Sequence, residues 1–295
     1  MANNKSKKSA SVIKFTGERS ELITKIENNT GGWRFFSYLY NASMFRVLGL
    51  QFLMLMFLVP TVFVILWQST QLMGLTSQLP VANSFGLGIS PWFGLEEYLT
   101  SNTSAISQTM YLWLLIAIPF ATIAFSGGFA VVRDAYWTGK LRVCKSFVKG
   151  IKQTGLKFLP FTVLFALGLM GSYYLGIATA NMAGWLRTIF SVIVLAVLAI
   201  ILLTGFVYLG TSTLYKQSFA DGFKNAMKFT FRYFLSHMVC LFFTLLPIIL
   251  LIYSGSMGSL ISSMVIILFI MFGMIWISLV WMIHIIRSTM PFAKK

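Results

Sequence analysis

The chain of 295 residues is 57% hydrophobic and only 10% charged, whereas soluble domains average roughly 25% charged residues. A surface so poor in charge could not be solvated by water on all sides, which excludes an ordinary soluble domain and indicates lipid as the main solvent. The net charge of +16 would suggest nucleic-acid binding in a soluble protein, but basic residues of membrane proteins collect in cytoplasmic loops, so we predict no nucleic-acid partner.

The N-terminal segment is polar and basic. Residues 1–44 contain no short apolar core followed by a small-residue cleavage site, so they do not resemble a signal peptide. We predict a cytoplasmic tail in which residues 18–30 form a short amphipathic helix.

Six apolar stretches are long enough to cross the hydrocarbon core, which takes roughly twenty helical residues. None of the six contains an acidic residue. They cover residues 46–68, 107–132, 157–180, 187–213, 237–254 and 258–286. We therefore predict an all-α fold, a polytopic membrane helix bundle of about six transmembrane helices that occupies residues 45–288.

The distribution of Lys and Arg predicts the orientation of the bundle. With six spans, 22 of the 23 basic residues fall on one side, and Arg187 is the exception. Because short cytoplasmic loops are enriched in Lys and Arg, we predict that both termini are cytoplasmic. The predicted cytoplasmic parts are the tails at 1–44 and 289–295 and the loops at 133–157 and 214–236. The predicted outer loop, 69–106, includes a short interfacial segment near Pro91.

A short pattern, S-F-x-x-G-x-K, occurs twice, at residues 146–152 and 218–224. In both copies the aromatic and basic residues fall on different helical faces, which is typical of an amphipathic helix at the membrane surface. We predict an internal duplication with two cytoplasmic interfacial helices, at 143–157 and 216–230. These helices either lie on lipid as connectors or dock a protein. The candidate docking residues are Phe147, Lys149, Gly150, Lys152, Phe219, Asp221, Gly222 and Lys224.

Small residues recur every four positions around the third span. Such a stripe lets a neighbouring helix approach closely, so we predict a helix-packing surface, within the chain rather than between copies. Its members are Gly168, Ser172, Gly176, Ala180 and Gly184.

Catalytic and metal-binding motifs are missing from the sequence. The seven acidic residues lie outside the predicted spans, and His237 and His284, near the inner ends of their helices, are interpreted as structural. Nothing matches a zinc-protease motif, a nucleophile elbow or a phosphate-binding loop. We predict that the protein is not an enzyme and uses no metal and no cofactor.

A resemblance to a known family rests on three stretches, residues 119–124 (PFATIA), 127–133 (GGFAVVR) and 147–152 (FVKGIK). Over roughly residues 105–250 the chain resembles the YesL family of bacterial membrane proteins, which has a P-x-x-T-I-G-type motif at the end of a helix, an Arg shortly after it, and a basic loop. Ala124 stands where the family usually has Gly. The resemblance implies a multi-pass protein of the bacterial plasma membrane, of undefined biochemistry, in a family often associated with carbohydrate ABC importers.

Three functions follow from these observations. The first is a non-catalytic accessory component of carbohydrate uptake. The second is an ABC-transporter permease subunit that couples to a cytoplasmic ATPase through 143–157 and 216–230. The third is an uncoupled facilitator or channel, with a polar path along Thr122, Ser126, Thr204 and Thr244. The predicted partners are the lipid bilayer, anionic headgroups at the cytoplasmic face, and a transporter subunit or ATPase.

Overall fold

A computed structural model describes residues 32–77, 95–138, 141–254 and 259–289. These residues form helices joined by short connections. The predicted helix at 18–30, the start of the predicted interfacial segment at 91–94 and the tail at 290–295 lie outside the described residues.

Ten α-helices follow one another in the described chain, and two π-helical segments continue directly into their neighbours. The helices are α1 (Gly32–Ser77), α2 (Leu95–Ala117), α3 (Ala121–Thr138), α4 (Val143–Gly150), α5 (Leu156–Ala178), α6 (Gly184–Leu214), α7 (Phe219–Arg232), α8 (Phe234–Ser254), α9 (Ser259–Leu268) and α10 (Met274–Thr289). A 3-10 turn, Ile118–Phe120, joins α2 to α3, and the π segments are Ile151–Gly155 and Phe269–Gly273.

Five continuous helical segments of the described chain are long and apolar enough to cross a membrane. They are Ser43–Leu75, Leu99–Thr138, Val143–Ala178, Gly184–Leu214 and Ser263–Thr289. The pair Phe219–Arg232 and Phe234–Leu246, bent by 93°, makes a sixth if it is counted as one span. The prediction of an all-α bundle with five or six membrane-length helices is therefore confirmed, whereas its orientation in the membrane stays a prediction.

The boundaries of the second and third spans differ from the predicted ones. Of the region 133–157, predicted as a loop, all the residues that the structure describes are helical except Leu141 and Arg142. The sequence suggested a loop because Arg133 is charged. Its guanidinium is instead paired inside the protein, so α3 continues for another five residues without exposing the charge to lipid.

Helix α3 lies at the centre of the bundle. Almost all of its residues are buried, including Arg133, which is 1% exposed. It packs against α1, α4, α6 and α10, and Gly127 and Gly128 leave room for this crowding. A Cβ at Gly127 would overlap the ring of Phe147, and one at Gly128 would lie 2.5 Å from the terminal methyl of Met54.

The two ends of the bundle are packed differently. A large buried cluster surrounds α3 and includes Trp281 and Tyr208. A smaller one joins α1, α2 and α5 around Val64 and Leu114. The first half of α6, residues 184–197, is mostly exposed. The tight packing therefore lies in the half where α3 ends.

A buried glutamine of α1 supports the second π segment. Gln51 is 0% exposed. Its Nε2 donates to the carbonyl of Phe269 over 3.1 Å, and its Oε1 accepts from the amides of Met274 and Ile275 over 3.1 and 3.0 Å. A π segment leaves backbone groups outside the regular helical ladder, and in a membrane such groups need partners within the protein. Gln51 supplies them.

The helix ends that carry most of the exposed basic residues are joined by hydrogen bonds into one surface, here called the basic end. Lys157 donates to the carbonyl of Gln217 over 3.0 Å, and Tyr215 donates to the hydroxyl of Thr289 over 2.9 Å. The exposed basic residues at this end are Arg46, Arg142, Lys145, Lys149, Lys152, Lys216, Lys224, Lys228, Arg232 and Arg287. The positive charge is thus concentrated at one end of the described bundle.

Candidate partner interface at the basic end

The first copy of the repeated pattern is anchored in the bundle. Phe147 is 3% exposed, and its ring fills the space beside Gly127. Gly150 is also buried: a Cβ there would lie 2.5 Å from the carbonyl oxygen of Ser126 and would overlap Ala130. Phe147 and Gly150, two of the predicted docking residues, are therefore turned towards α3. An apolar residue on an amphipathic helix suits the bundle as well as lipid, so the pattern did not distinguish the two.

The other predicted residues of this copy remain accessible. Lys149 and Lys152 are exposed. They lie on a helix that continues through the π segment into α5, so this copy is the first part of a continuous membrane-length helix and not a separate helix.

An ion pair of the buried Arg133 fixes the end of α3 against its neighbours. The guanidinium of Arg133 lies 2.6 Å from Oδ1 of Asp134 and donates to the carbonyl of Thr213 in α6 over 2.8 Å. The other carboxylate oxygen of Asp134 accepts from the hydroxyl of Ser146 over 2.7 Å. Charge-assisted bonds of this kind are stronger than neutral ones. The network joins α3, α4 and α6 directly beneath the basic end.

The second copy forms α7, which begins with a side-chain cap. The hydroxyl of Ser218 accepts from the amide of Asp221 over 3.2 Å and donates to its carboxylate over 2.7 Å. Both bonds are local, so the S-x-x-D sequence determines where this helix begins. The carboxylate also lies in the first turn, where the helix dipole favours negative charge.

Three rows of residues divide the surface of α7. The first row is buried and consists of Gly222, Ala226 and Thr230. A Cβ at Gly222 would lie 2.8 Å from the ring of Tyr208, so this glycine allows α7 to approach α6. A four-residue spacing keeps the three positions on one face of the helix. This row attaches α7 to the bundle.

The second row of α7 is basic and exposed. Lys224, Lys228 and Arg232 are also four residues apart, and each lies two residues beyond a member of the buried row, on the opposite side of the helix. The third row, between them, is aromatic: Phe219 is 44%, Phe223 42% and Phe231 59% exposed. Exposed Phe next to exposed Lys and Arg is the composition of an interfacial helix or of a protein-binding surface.

The bend of 93° between α7 and α8 is held by two histidines. Nε2 of His237 lies 3.2 Å from the carbonyl of Phe229, and its Nδ1 lies 2.8 Å from Nε2 of His284. Trp281 stacks on the His237 ring, with centroids 6.2 Å apart. Sequence reasoning treated each histidine as isolated, because 46 residues separate them and nothing in the sequence signals the contact.

The predicted helix-packing stripe is divided between two helices. Gly168, Ser172 and Gly176 lie on α5, but α5 ends at Ala178, so Ala180 falls in the turn and Gly184 begins α6. A Cβ at Gly168 would lie 2.7 Å from Leu198, whereas nothing lies within 4 Å of one at Gly176 or Gly184. Of the three glycines in the stripe, therefore, only Gly168 is needed for close approach.

The polar side chains of the predicted path, Thr122, Ser126, Thr204 and Thr244, all form hydrogen bonds within the protein. Thr122 shares a hydrogen bond of 2.8 Å with Thr162, and the hydroxyls of Ser126 and Thr244 donate to carbonyls of their own helices. The central cavity, about 370 Å³ in volume, is lined almost entirely by apolar side chains. Its lining does not suit a sugar, which needs many hydrogen-bond partners.

Within the described residues, no group of three or more His, Cys, Asp or Glu side chains is placed to hold a metal ion. No family model matches the chain, and no match was found among the curated proteins or the solved structures. The resemblance to the YesL family therefore stays a prediction from the sequence.

Proposed function

We propose that the protein is a non-catalytic accessory component of a bacterial membrane transporter, and that α7 is the surface on which the transporter docks. The observation that carries the proposal is the arrangement of α7. Its exposed aromatic row and exposed basic row lie side by side on a helix that the buried row holds against the bundle.

Carbohydrate uptake as the process rests on the resemblance to the YesL family. The resemblance also supports the bacterial plasma membrane as the location, with the basic end in the cytoplasm as the distribution of Lys and Arg predicts. In this orientation α7 faces the cytoplasmic parts of a neighbouring transporter.

A charge-reversal experiment tests the docking surface. The variant Lys224→Glu, Lys228→Glu, Arg232→Glu changes the exposed basic row of α7 and leaves its buried row intact. The matched control, Lys145→Glu, Lys149→Glu, Lys152→Glu, makes the same change of charge on α4 and the π segment that follows it, where Phe147 is buried. Each protein is purified from its native membrane in a mild detergent, and co-purified carbohydrate-transporter subunits are measured by quantitative mass spectrometry.

We expect the wild type and the control to retain the transporter. The amount of transporter that co-purifies with the α7 variant should be at least tenfold lower. Two results would refute the proposal. One is a wild-type preparation free of transporter subunits, and the other is an α7 variant that retains as much transporter as the wild type.

A permease subunit is the second candidate. It is supported by the exposed Asp221 in the first turn of α7, where Ala220-Asp221-Gly222 resembles part of the loop that permeases present to their ATPases. Reconstitution with the ATPase of the co-purified transporter separates the two functions. A permease stimulates ATP hydrolysis when it replaces the transporter's own membrane subunit, whereas an accessory protein does not.

A further inference from the structure

An apolar groove runs along the outside of the bundle and begins at the basic end. It is about 370 Å³ in volume, and its lining is almost entirely apolar. It is formed by the 3-10 turn, the start of α3, the first π segment and the start of α5, and its lining includes Phe120, Ile151, Gly155, Leu156 and Leu159. Leu156, at its rim, is 83% exposed.

The floor of the groove depends on a glycine in the π segment. A Cβ at Gly155 would have only ordinary contacts, 3.5 Å from Ile151 and 3.6 Å from the hydroxyl of Ser126. Because Gly155 lines the groove, we expect a larger side chain at this position to occupy part of it. Gly155 therefore keeps the groove open without being needed for close helix packing.

The length of the groove matches one leaflet of a bilayer. Leu159 lies eight positions after Ile151, which corresponds to at most about 12 Å along the helix axis. One leaflet of hydrocarbon is about 15 Å deep, half of the usual core thickness. A single acyl chain that enters at the basic end would therefore lie along most of the groove.

Exposed cations lie at the end of the groove where a lipid headgroup would be. Lys152 precedes Leu156 by four residues and Lys149 precedes Lys152 by three, so each lies about one helical turn from the next, and both lysines are exposed. No Asp or Glu occurs between Asp134 and Asp221. The phosphate of an anionic lipid at this level would meet only positive charge from α4 and the π segment.

We propose that this groove is a binding site for one anionic phospholipid, with an acyl chain against Gly155 and Leu156 and the headgroup at Lys149 and Lys152. The site explains why α4 keeps exposed lysines although its aromatic face is buried. It does not depend on the docking of a transporter to α7.

Native mass spectrometry tests the proposal on the full chain released from nanodiscs of equal parts phosphatidylglycerol and phosphatidylcholine. Each lysine near an anionic surface adds several-fold to lipid affinity, so we expect one retained phosphatidylglycerol, favoured roughly tenfold over phosphatidylcholine. The variant Lys149→Gln, Lys152→Gln should abolish the preference, so that the two lipids are retained in a ratio of about one. The matched variant Lys224→Gln, Lys228→Gln should keep it.

A second variant separates the groove from the charges. Gly155→Leu fills the groove and leaves both lysines in place, so we expect at least a threefold loss of the retained lipid, while Gly171→Leu, on α5 outside the groove, should retain it. The proposal would be overturned if the wild type showed no preference for phosphatidylglycerol, if Lys149→Gln, Lys152→Gln kept the preference, or if Gly155→Leu, folded as judged by its thermal transition, retained the lipid.

Discussion

Nε2 of His284 lies 2.8 Å from Nδ1 of His237, and the hydrogen bonds around the pair define its tautomers. A backbone carbonyl only accepts, so Nε2 of His237 must carry the proton that is donated to Phe229. Nδ1 of a neutral His237 is then an acceptor, and His284 donates to it. The hydrogen bonds therefore run without a break from His284 in α10, through the neutral ring of His237, to the carbonyl of Phe229 near the end of α7.

Replacing His237 should loosen α7. The variant His237→Phe keeps an aromatic ring against Trp281 but loses both hydrogen bonds, which should cost about 1–2 kcal/mol. We expect faster amide hydrogen exchange in residues 219–233, measured by mass spectrometry in detergent micelles. In the control, Ser288→Ala removes a hydroxyl that bonds only to its own helix, and exchange in α7 should not change. Unchanged exchange in His237→Phe would show that the histidine pair does not hold the bend.

Gln51 should be important for stability although it is uncharged. In Gln51→Leu the carbonyl of Phe269 and two amides of α10 lose their partner, and we expect a loss of about 2 kcal/mol in the free energy of unfolding. The matched control is Gln71→Leu, an exposed position on the same helix, where the change should stay within about 0.5 kcal/mol. Equilibrium unfolding in mixed micelles measures both. Equal effects of the two substitutions would contradict the role of Gln51.

Two glycine substitutions should have opposite effects. Gly150→Ala places a methyl group against the backbone of Ser126 and against Ala130, so we expect destabilisation of about 2 kcal/mol, the usual size of an overpacking effect. Gly171→Ala, in α5, meets nothing within 4 Å and should stabilise by up to about 1 kcal/mol, because Ala favours helix over Gly. Thermal unfolding followed by fluorescence measures both changes. A tolerated Gly150→Ala would mean that α4 does not approach α3 so closely.

Tyr215 should make stability depend on pH under alkaline conditions. Burial raises the pKa of Tyr215 above its ordinary value of 10.0, although its hydrogen bond to Thr289 opposes this. Below pH 10 the phenol is neutral in both states, so its contribution to stability is complete. Above pH 10 the unfolded chain ionises first, and stability is lost as the pH rises towards the folded pKa. The advantage of the wild type over Tyr215→Phe, measured by unfolding at pH 8 and pH 11, should therefore shrink at the higher pH. An advantage that grew would contradict this sign.

The sequence predicted the spans well but not the contacts between them. Long apolar stretches have few alternatives to a membrane helix, so their number and approximate positions could be read directly. The environment of Phe147 could not be predicted, because lipid and the bundle interior both accept a phenyl ring. Gln51 and Arg133 were missed as structural centres because their partners, Phe269 and Thr213, are distant in the sequence.

On α7 three of the four predicted docking residues are accessible, whereas Gly222 is buried. Ser218 and Asp221 form a local cap, and the buried, basic and aromatic rows all follow from a helix with 3.6 residues per turn. The accessible candidates Phe219, Asp221 and Lys224 could therefore be named from the sequence. The bend that exposes them could not, because it depends on His284 in another helix.

The proposal that α7 is the docking surface is tested most directly by photocrosslinking in living cells. A photoreactive phenylalanine analogue replaces Phe223, which is 42% exposed on α7, or Leu195, which is 68% exposed on α6. We expect a discrete adduct with a transporter membrane subunit from position 223 and none from position 195. The same adduct from both positions, or only lipid adducts from position 223, would contradict it.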